Sequence, residues 1–95
     1  MEVEYKKKAQ EDRTYWKQQD NLKIQKRISE LIEDICEHPF TGIGKPEPLK
    51  HELSGLWSRR ITQEHRIIYE VFNSKISILS MKGHYLMKNV SHTLK

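Results

Sequence analysis

A proline- and glycine-rich segment, residues 40–48, divides this chain into two halves with different hydrophobic periodicities. It holds two glycines and two prolines in nine residues. Because each proline fixes its own φ, we expect a loop of defined shape here, not a flexible linker. Apolar residues recur at helical spacing before the loop and fall in short strand-like runs after it. This change of period indicates helices followed by a sheet.

The first half of the chain predicts two helices. Residues 6–19 lack glycine and proline, and Asp20 and Asn21 then form a break with a predicted N-cap. The next helix should end before Pro39, because the residue preceding a proline avoids helical geometry. Its apolar residues fall on one stripe: Ile24, Ile28, Leu31, Ile32 and Ile35.

The second half of the chain predicts antiparallel strands joined by short turns. The expected strands are residues 49–53, 56–62, 66–72 and 76–81, with an edge strand at residues 3–5. The predicted fold is α+β, with two N-terminal helices packed on one face of a twisted antiparallel sheet. Its other face is then open to solvent and available for a ligand. We assign residues 1–85 to a single domain and residues 86–95 to a C-terminal tail.

Register decides which side chains reach that open face. Alternation places Arg59 on the face of the predicted core residue Tyr69, and Arg60 on the opposite face. A three-residue turn or a bulge would pair Arg60 with Arg66 on the open face, whereas a two-residue turn would set Arg60 opposite Ile67. We predict the pairing of the two arginines.

Composition narrows the classes of function. The 95 residues carry 17 Lys and Arg against 13 Asp and Glu, a net charge of +4, which suits a polyanionic partner. A single cysteine, Cys36, excludes an internal disulfide and a CxxC metal motif. The N-terminus has no apolar signal segment, and no apolar run approaches the roughly 20 residues of a membrane span. We expect a cytoplasmic protein that binds no membrane and needs no metal or cofactor.

One carboxylate, Glu47, stands between two prolines and is followed closely by several cations. Cleavage of RNA by its own 2′-hydroxyl needs a base, a cation on the phosphate and an acid for the leaving oxygen. Glu47 is the candidate base, because it is normally ionised near neutrality and its flanking prolines restrict it. Arg60 and Arg66 are candidate phosphate clamps, since a guanidinium can grip two oxygens.

The residues alone leave more than one candidate for the acid and more than one role for the possible RNA contacts. Histidine is the natural acid, and spacing leaves His65 and His84 open for this role. His51 either touches phosphate or lies on plain surface. Tyr85 either stacks on a base or caps the sheet edge. The remaining basic residues fit a solvated strand as well as a nucleic-acid contact: Lys50, Arg59 and Arg60.

Four segments together resemble the YoeB family of toxins, within the RelE superfamily. They are PFTGIGKPEPLK at residues 39–50, LSGLWSRRI at residues 53–61, EHR at residues 64–66 and HY at residues 84–85. The resemblance implies a microbial-RNase-like fold and a ribosome-dependent endonuclease that cuts mRNA in the ribosomal A site. It also implies a YefM-like antitoxin whose acidic segment covers the active face, contact with operator DNA only through that antitoxin, and a possible homodimer.

The resemblance also assigns roles to residues. It makes Glu47 the base, Arg66 the group that stabilises the phosphate, and His84 the acid. It gives RNA contacts to Lys50, Arg60 and Tyr85. Two departures stand out: Gly83 occupies a position where many members have tyrosine, and ten further residues follow Tyr85.

Two other functions are compatible with the same residues. A catalytically degenerate homologue would bind its antitoxin and act only as a co-repressor module. A free RNase would cleave naked RNA as fast as mRNA on ribosomes, although the few basic contacts favour help from the ribosome. Cleavage assays with and without ribosomes separate the three.

Overall fold

The computed structural model describes residues 1–83. The predicted acid His84, the predicted RNA contact Tyr85 and the predicted tail at residues 86–95 lie outside the described residues. The elements follow in chain order: β1 (Glu2–Tyr5), α1 (Lys7–Gln18), α2 (Leu22–Glu37), β2 (Glu47–Pro48), a 3₁₀ helix (His51–Leu53), β3 (Leu56–Arg60), β4 (Arg66–Phe72) and β5 (Lys75–Ser80).

The strands of the described chain form one sheet in the order β1-β5-β4-β3-β2. The pairs from β2 to β5 are antiparallel, as predicted, and β1 lies at an edge. However, β1 runs parallel to β5, so the sheet is mixed and not wholly antiparallel. The reason is topological: all the other elements lie between these two strands and supply the long connection that a parallel pair requires.

The predicted strand at residues 49–53 is wrong. The strand in this region is the two-residue β2, and the chain then turns through the 3₁₀ helix. His51 has a φ of 59°, which is incompatible with an extended strand. The amides of Leu53 and Ser54 donate to the carbonyls of Lys50 and His51. These are turn hydrogen bonds and not bonds between strands of a sheet.

The two helices pack on one face of the sheet, and the α+β prediction is confirmed. The Asn21 side chain accepts a bond of 3.1 Å from the amide of Ile24, which makes it the N-cap of α2 as expected. The apolar stripe of α2 then meets the sheet in one core, whose fully buried members include Leu31, Ile35, Ile67, Tyr69, Ile76 and Ile78.

The register of β3 and β4 is also as predicted. Arg60 pairs with Arg66, so both arginines lie on the face away from the helices. Trp57 pairs with the core residue Tyr69 and packs against the core. The open face of β2, β3 and β4 is therefore the surface on which the candidate groups meet.

Candidate active site

An open groove of about 480 Å³ lies on this face. Its lining residues come from the loop before β2, from the three strands and from the residue after β2: Lys45, Pro46, Glu47, Leu49, Ser58, Arg60 and Arg66. Three of the eight predicted site residues, Glu47, Arg60 and Arg66, are thus brought together from positions up to 19 residues apart. The groove joins one carboxylate with three cations.

The strand register gives the spacing of these groups. Glu47 stands opposite Ser58, and Arg60 lies two residues further along the same face of β3. Directly opposed residues have Cβ atoms about 5 Å apart, and diagonal neighbours are about 7 to 8 Å apart. The long side chains of Glu47 and Arg60 can therefore reach the same nucleotide phosphate and its neighbouring hydroxyl.

Arg60 and Arg66 stand directly opposite each other, which is unfavourable for two like charges. Nη1 of Arg66 donates to the carbonyl oxygens of Thr62, at 2.8 Å, and Gln63, at 2.9 Å. These bonds direct one edge of the half-buried guanidinium toward the hairpin. A phosphate placed between the two arginines would neutralise their repulsion, so the pair is suited to binding an anion.

Glu47 lies on an exposed strand that the preceding loop holds in place. The carbonyl of Gly44 accepts a bond of 2.7 Å from the amide of Arg60, which ties the loop to β3 just before Lys45 and Glu47. Among the ion pairs found within residues 1–83, none includes Glu47. The carboxylate is therefore accessible to a substrate hydroxyl.

Lys45 is a groove residue that the sequence reasoning did not single out as a candidate. It lines the groove with an exposed side chain and a φ of 53°, an uncommon conformation for a residue other than glycine. The signal was available, because Lys45 lies only two residues before the predicted base. It adds a third cation to the site.

Two predicted RNA contacts, Lys50 and His51, lie just beyond the groove lining. Both are exposed, at the start of the 3₁₀ helix that follows β2. Their positions leave them accessible to a long ligand that extends past Glu47. Their role in RNA binding stays a prediction.

Arg59 does not lie on the surface, although the sequence left it open as either a solvated strand residue or an RNA contact. Its side chain is fully buried among the core residues, because strand alternation sends it to the face opposite Arg60. Nε donates to the Tyr69 hydroxyl at 3.2 Å, and Nη1 donates to the Asp34 carboxylate. The remaining bonds go to backbone carbonyls of His38, Thr41 and Ile43.

This buried cluster shifts two ionisation equilibria. The hydrogen bond from Arg59 lowers the pKa of Asp34 below its ordinary value, so the carboxylate stays charged beside the arginine. Burial raises the pKa of Tyr69, which keeps its hydroxyl neutral and able to donate to the carbonyl of Pro39 at 2.7 Å. Arg59 thus links Asp34 and Tyr69 in one continuous set of hydrogen bonds.

His65, an open candidate for the acid, bonds the segment that follows β5. Its Nδ1 accepts a bond of 2.9 Å from the amide of Gly83, and its ring meets the Trp16 ring edge-on at 4.9 Å. The carbonyl of Gly83 accepts in turn from the Arg66 amide at 3.1 Å. Gly83 has a φ of 82°, a conformation that favours glycine.

Helix α1 fixes the same region from the other side. Trp16 donates from Nε1 to the carbonyl of Met81 at 2.9 Å, and Asp12 accepts from the Met81 amide at 2.8 Å. Residues 81–83 are thus bonded to α1 and to the β3–β4 hairpin. The predicted acid, His84, follows directly after this anchored segment in the sequence.

Within residues 1–83, no three histidine, cysteine, aspartate or glutamate side chains are grouped so that they could share a metal ion. In the same range, no helix combines the length and the apolar character needed to cross a membrane.

Comparisons with known proteins identify the family. The family model described as "YoeB-like toxin of bacterial type II toxin-antitoxin system" matches residues 5–85. Toxin YoeB of Escherichia coli strain K12 is 47% identical over 85 residues, which cover 90% of this chain and 100% of that toxin. The YoeB/ParE toxin from Agrobacterium tumefaciens superposes with a TM-score of 0.84 at 37% identity, covering 90% of this chain and 100% of that one.

A further relative from Staphylococcus aureus has been solved in a YoeB–YefM complex and as a YoeB dimer. The two structures superpose with TM-scores of 0.80 each, at 44% and 43% identity, and each match covers 90% of this chain and 98% of the other. The family match spans nearly the whole chain, and the relatives share its fold. This chain therefore belongs to the YoeB-like toxin family of bacterial type II toxin–antitoxin systems.

Proposed function

We propose that this toxin is a ribosome-dependent endoribonuclease that cuts mRNA in the ribosomal A site and so stops translation. The observation that carries the proposal is the groove in which the exposed Glu47 lies among the cations of Lys45, Arg60 and Arg66. A carboxylate beside converging cations matches the needs of phosphodiester cleavage, a base next to a phosphate site. Family membership and the accessible groove both support this function.

In the proposed reaction Glu47 takes the proton of the 2′-hydroxyl. The oxygen then attacks the adjacent phosphorus, and the bond to the 5′ oxygen of the next nucleotide breaks. Arg66 and Arg60 stabilise the charge on the non-bridging oxygens. His84, outside the described residues, donates the proton that the leaving oxygen takes. This route needs no metal ion, because the RNA supplies its own nucleophile.

The RNA strand extends from the groove along neighbouring basic groups. Lys50 and His51 lie next to β2, where they can contact phosphates beyond the scissile one. Tyr85, also outside the described residues, would stack on a base. Because these contacts are few, the ribosome supplies much of the binding and the orientation of the mRNA.

A YefM-like antitoxin is the proposed partner. The Staphylococcus aureus relative is found in a complex with YefM, and also as a dimer. An acidic antitoxin segment would be attracted to the cations of the groove and would cover Glu47. We propose the same antitoxin complex and a homodimer for this chain, with operator DNA contacted only through the antitoxin.

Toe-printing on programmed ribosomes tests the function. Wild-type protein should produce a cut in the A-site codon, and Glu47→Ala should slow it by at least about 100-fold. An exposed glutamate on α2, Glu33, provides the matched control, since Glu33→Ala should cleave like wild type. A 2′-deoxy nucleotide at the scissile position should block cleavage.

The contrary outcomes separate the alternatives. Intact mRNA with wild-type protein that still binds its antitoxin would indicate a degenerate co-repressor module. Equal cleavage of naked RNA would indicate a free RNase. Normal cleavage by Glu47→Ala would remove Glu47 from the role of base.

A further inference from the structure

We infer that Arg59 is a positioning residue that places the general base, by organising the loop that delivers Glu47 to the groove. The inference rests on the proposed function, since it assigns Glu47 a catalytic task. The loop in question comprises residues 38–46, here called the Glu47 loop. It runs from the end of α2 to the start of β2.

The contacts of Arg59 are concentrated on this loop. Its three guanidinium nitrogens donate five hydrogen bonds, and three of these reach the loop carbonyls of His38, Thr41 and Ile43. The bond to Ile43 is 3.0 Å and the bond to Thr41 is 2.8 Å. A loop of this kind has no regular ladder, so a buried side chain with many donors satisfies its carbonyls instead.

The two partners of Arg59 extend the same scaffold. Asp34 accepts from Arg59 and from the loop amide of Ile43 at 3.1 Å. Tyr69 accepts from Arg59 and donates to the loop carbonyl of Pro39. The buried charge therefore has a counter-ion, and each partner bonds the loop directly as well.

The loop fits closely around this cluster. A Cβ atom added to Gly42 would lie 1.9 Å from Oδ2 of Asp34 and 3.2 Å from Nη1 of Arg59. Gly42 also has a φ of 121°, in the region that other residues rarely adopt. The loop backbone can lie this close to the ion pair only because residue 42 is glycine. The close packing of the loop against Arg59 therefore depends on this glycine.

The position of Glu47 depends on this arrangement. Directly after the part of the loop held by Arg59, Gly44 bonds the backbone of Arg60, and three residues later Glu47 pairs with Ser58. Arg59 lies between these two anchor residues on β3. One residue thus fixes the loop from the core while its neighbours fix it from the strand edge, and a shift of the loop would move Glu47 relative to Arg60.

Arginine is needed at position 59 because a lysine there could not form the same hydrogen bonds to the loop. A lysine has one nitrogen with three donors, whereas the planar guanidinium spreads five donors over three nitrogens. Arg59→Lys keeps the charge that Asp34 requires but loses most of the bonds to the loop. It is therefore the variant that separates positioning from simple charge compensation.

The test is a double-mutant cycle in the ribosome cleavage assay. Arg59→Lys should lower kcat about 10- to 100-fold, since small misplacements of catalytic groups cost this much, with KM changed less than about 3-fold. In a Glu47→Ala background the same substitution should change the residual rate less than about 2-fold, because the group it positions is gone. Arg13→Lys, an exposed arginine over the Tyr5 ring, is the matched control.

Thermal unfolding identifies the fraction of each variant that is folded at the assay temperature. If Arg59→Lys does not fold, Tyr69→Phe replaces it: this change removes one bond to Arg59 and one to Pro39, and should slow cleavage about 3- to 10-fold with the same dependence on Glu47. Ile76→Val, in the core on β5, controls for lost stability alone. It should leave kcat unchanged while the protein is folded.

The outcomes are distinguishable. Wild-type cleavage together with an undiminished rate in Arg59→Lys would overturn the inference and leave the proposed function standing. An equal loss in the presence and absence of Glu47 would also overturn it, since Arg59 would then act on folding or binding. A wild-type protein that leaves mRNA intact would refute the proposed function and the inference with it.

Discussion

At the scale of single residues, two adjacent arginines take opposite roles. Arg59 is fully buried and bonded to the core side of the loop, whereas Arg60 is exposed and lines the groove. The cause is strand geometry, which points successive side chains to opposite faces. The same type of side chain thus bonds the loop from inside at one position and lines the groove at the next.

Lys45 allows a residue-scale prediction about binding. It lines the groove, and a lysine acts on phosphate as a compact charge that salt can screen. We expect Lys45→Ala to weaken the complex with programmed ribosomes about 3- to 10-fold at low salt and to reduce the slope of log affinity against log salt by about 0.7. Ribosomes carrying a 2′-deoxy A-site nucleotide keep the mRNA intact while the affinity is measured.

Lys23→Ala is the control for this experiment. Lys23 is an exposed lysine on α2, on the side of the sheet away from the groove. Both variants lose one positive charge, so a general effect of net charge would appear in both. Equal affinities and equal salt slopes for the two variants would exclude a specific phosphate contact by Lys45.

At the scale of elements, the segment that follows β5, residues 81–83, is bonded by side chains from α1 and from the β3–β4 hairpin. Asp12 and Trp16 of α1 hold Met81, and His65 of the β3–β4 hairpin holds Gly83. These bonds fix residues 81–83 against α1 and the hairpin. The predicted acid, His84, is the next residue in the sequence.

Hydrogen exchange measures this anchoring directly. His65→Phe keeps a ring against Trp16 but removes Nδ1, the acceptor of the Gly83 amide. We expect the Gly83 amide to exchange roughly 5-fold faster, equivalent to about 1 kcal/mol, because this half-buried amide loses its hydrogen-bond acceptor. The Met81 amide donates its hydrogen bond to Asp12, so it should keep its wild-type exchange rate and serves as the internal control. Faster exchange at both amides would indicate general loosening of the protein.

The elements show what sequence reasoning could and could not predict. Helix α2 and strand β4 followed from apolar periodicity, and the pairing of Arg60 with Arg66 followed from alternation. The predicted strand at residues 49–53 failed because His51 adopts a positive φ, which no pattern of apolar residues reports. Local conformation of this kind depends on tertiary contacts that periodicity does not contain.

The sequence predicts some of the site residues but not the role of Arg59, for a related reason. Glu47 was recognisable from its flanking prolines, and Arg60 and Arg66 from their place in the strands. Alternation places Arg59 on the core face, but it does not identify the partner of the charge, because Asp34 lies 25 residues away on α2. A buried ion pair between distant residues leaves no mark in local sequence, so only the folded chain reveals the role of this arginine.

At the scale of the whole molecule, one buried ion pair joins α2, the Glu47 loop and the sheet. Arg59 lies on β3 and Asp34 on α2, and both bond the loop between them. The Arg59 side chain is fully buried, whereas that of Asp34 is 20% exposed. Loss of either charge would leave the other uncompensated, which is costly in a protein interior. The protonation of Asp34 therefore bears on the stability of the entire domain.

The acid stability of the protein follows from this pair. The hydrogen bond from Arg59 lowers the pKa of Asp34 in the folded state, whereas an aspartate in an unfolded chain has a pKa of about 3.9. The unfolded state then binds more protons in acid, so the contribution of Asp34 is present above about pH 4 and is lost as pH falls through the lower, folded pKa. We expect the free energy of unfolding of wild type to decrease more steeply below about pH 4 than that of Asp34→Asn.

Urea unfolding between about pH 6 and about pH 3 checks this difference. Asp34→Asn should be less stable than wild type near neutrality, because it lacks the charge that compensates Arg59, and the gap between the two should narrow in acid. Asp20→Asn, a change at an exposed aspartate after α1, should follow the wild-type curve. A gap that stays constant from neutral to acid pH would show that Asp34 is not held ionised by Arg59. A gap that narrows in acid would instead show that the Asp34–Arg59 ion pair, which joins α2 to the Glu47 loop, stabilises the folded protein.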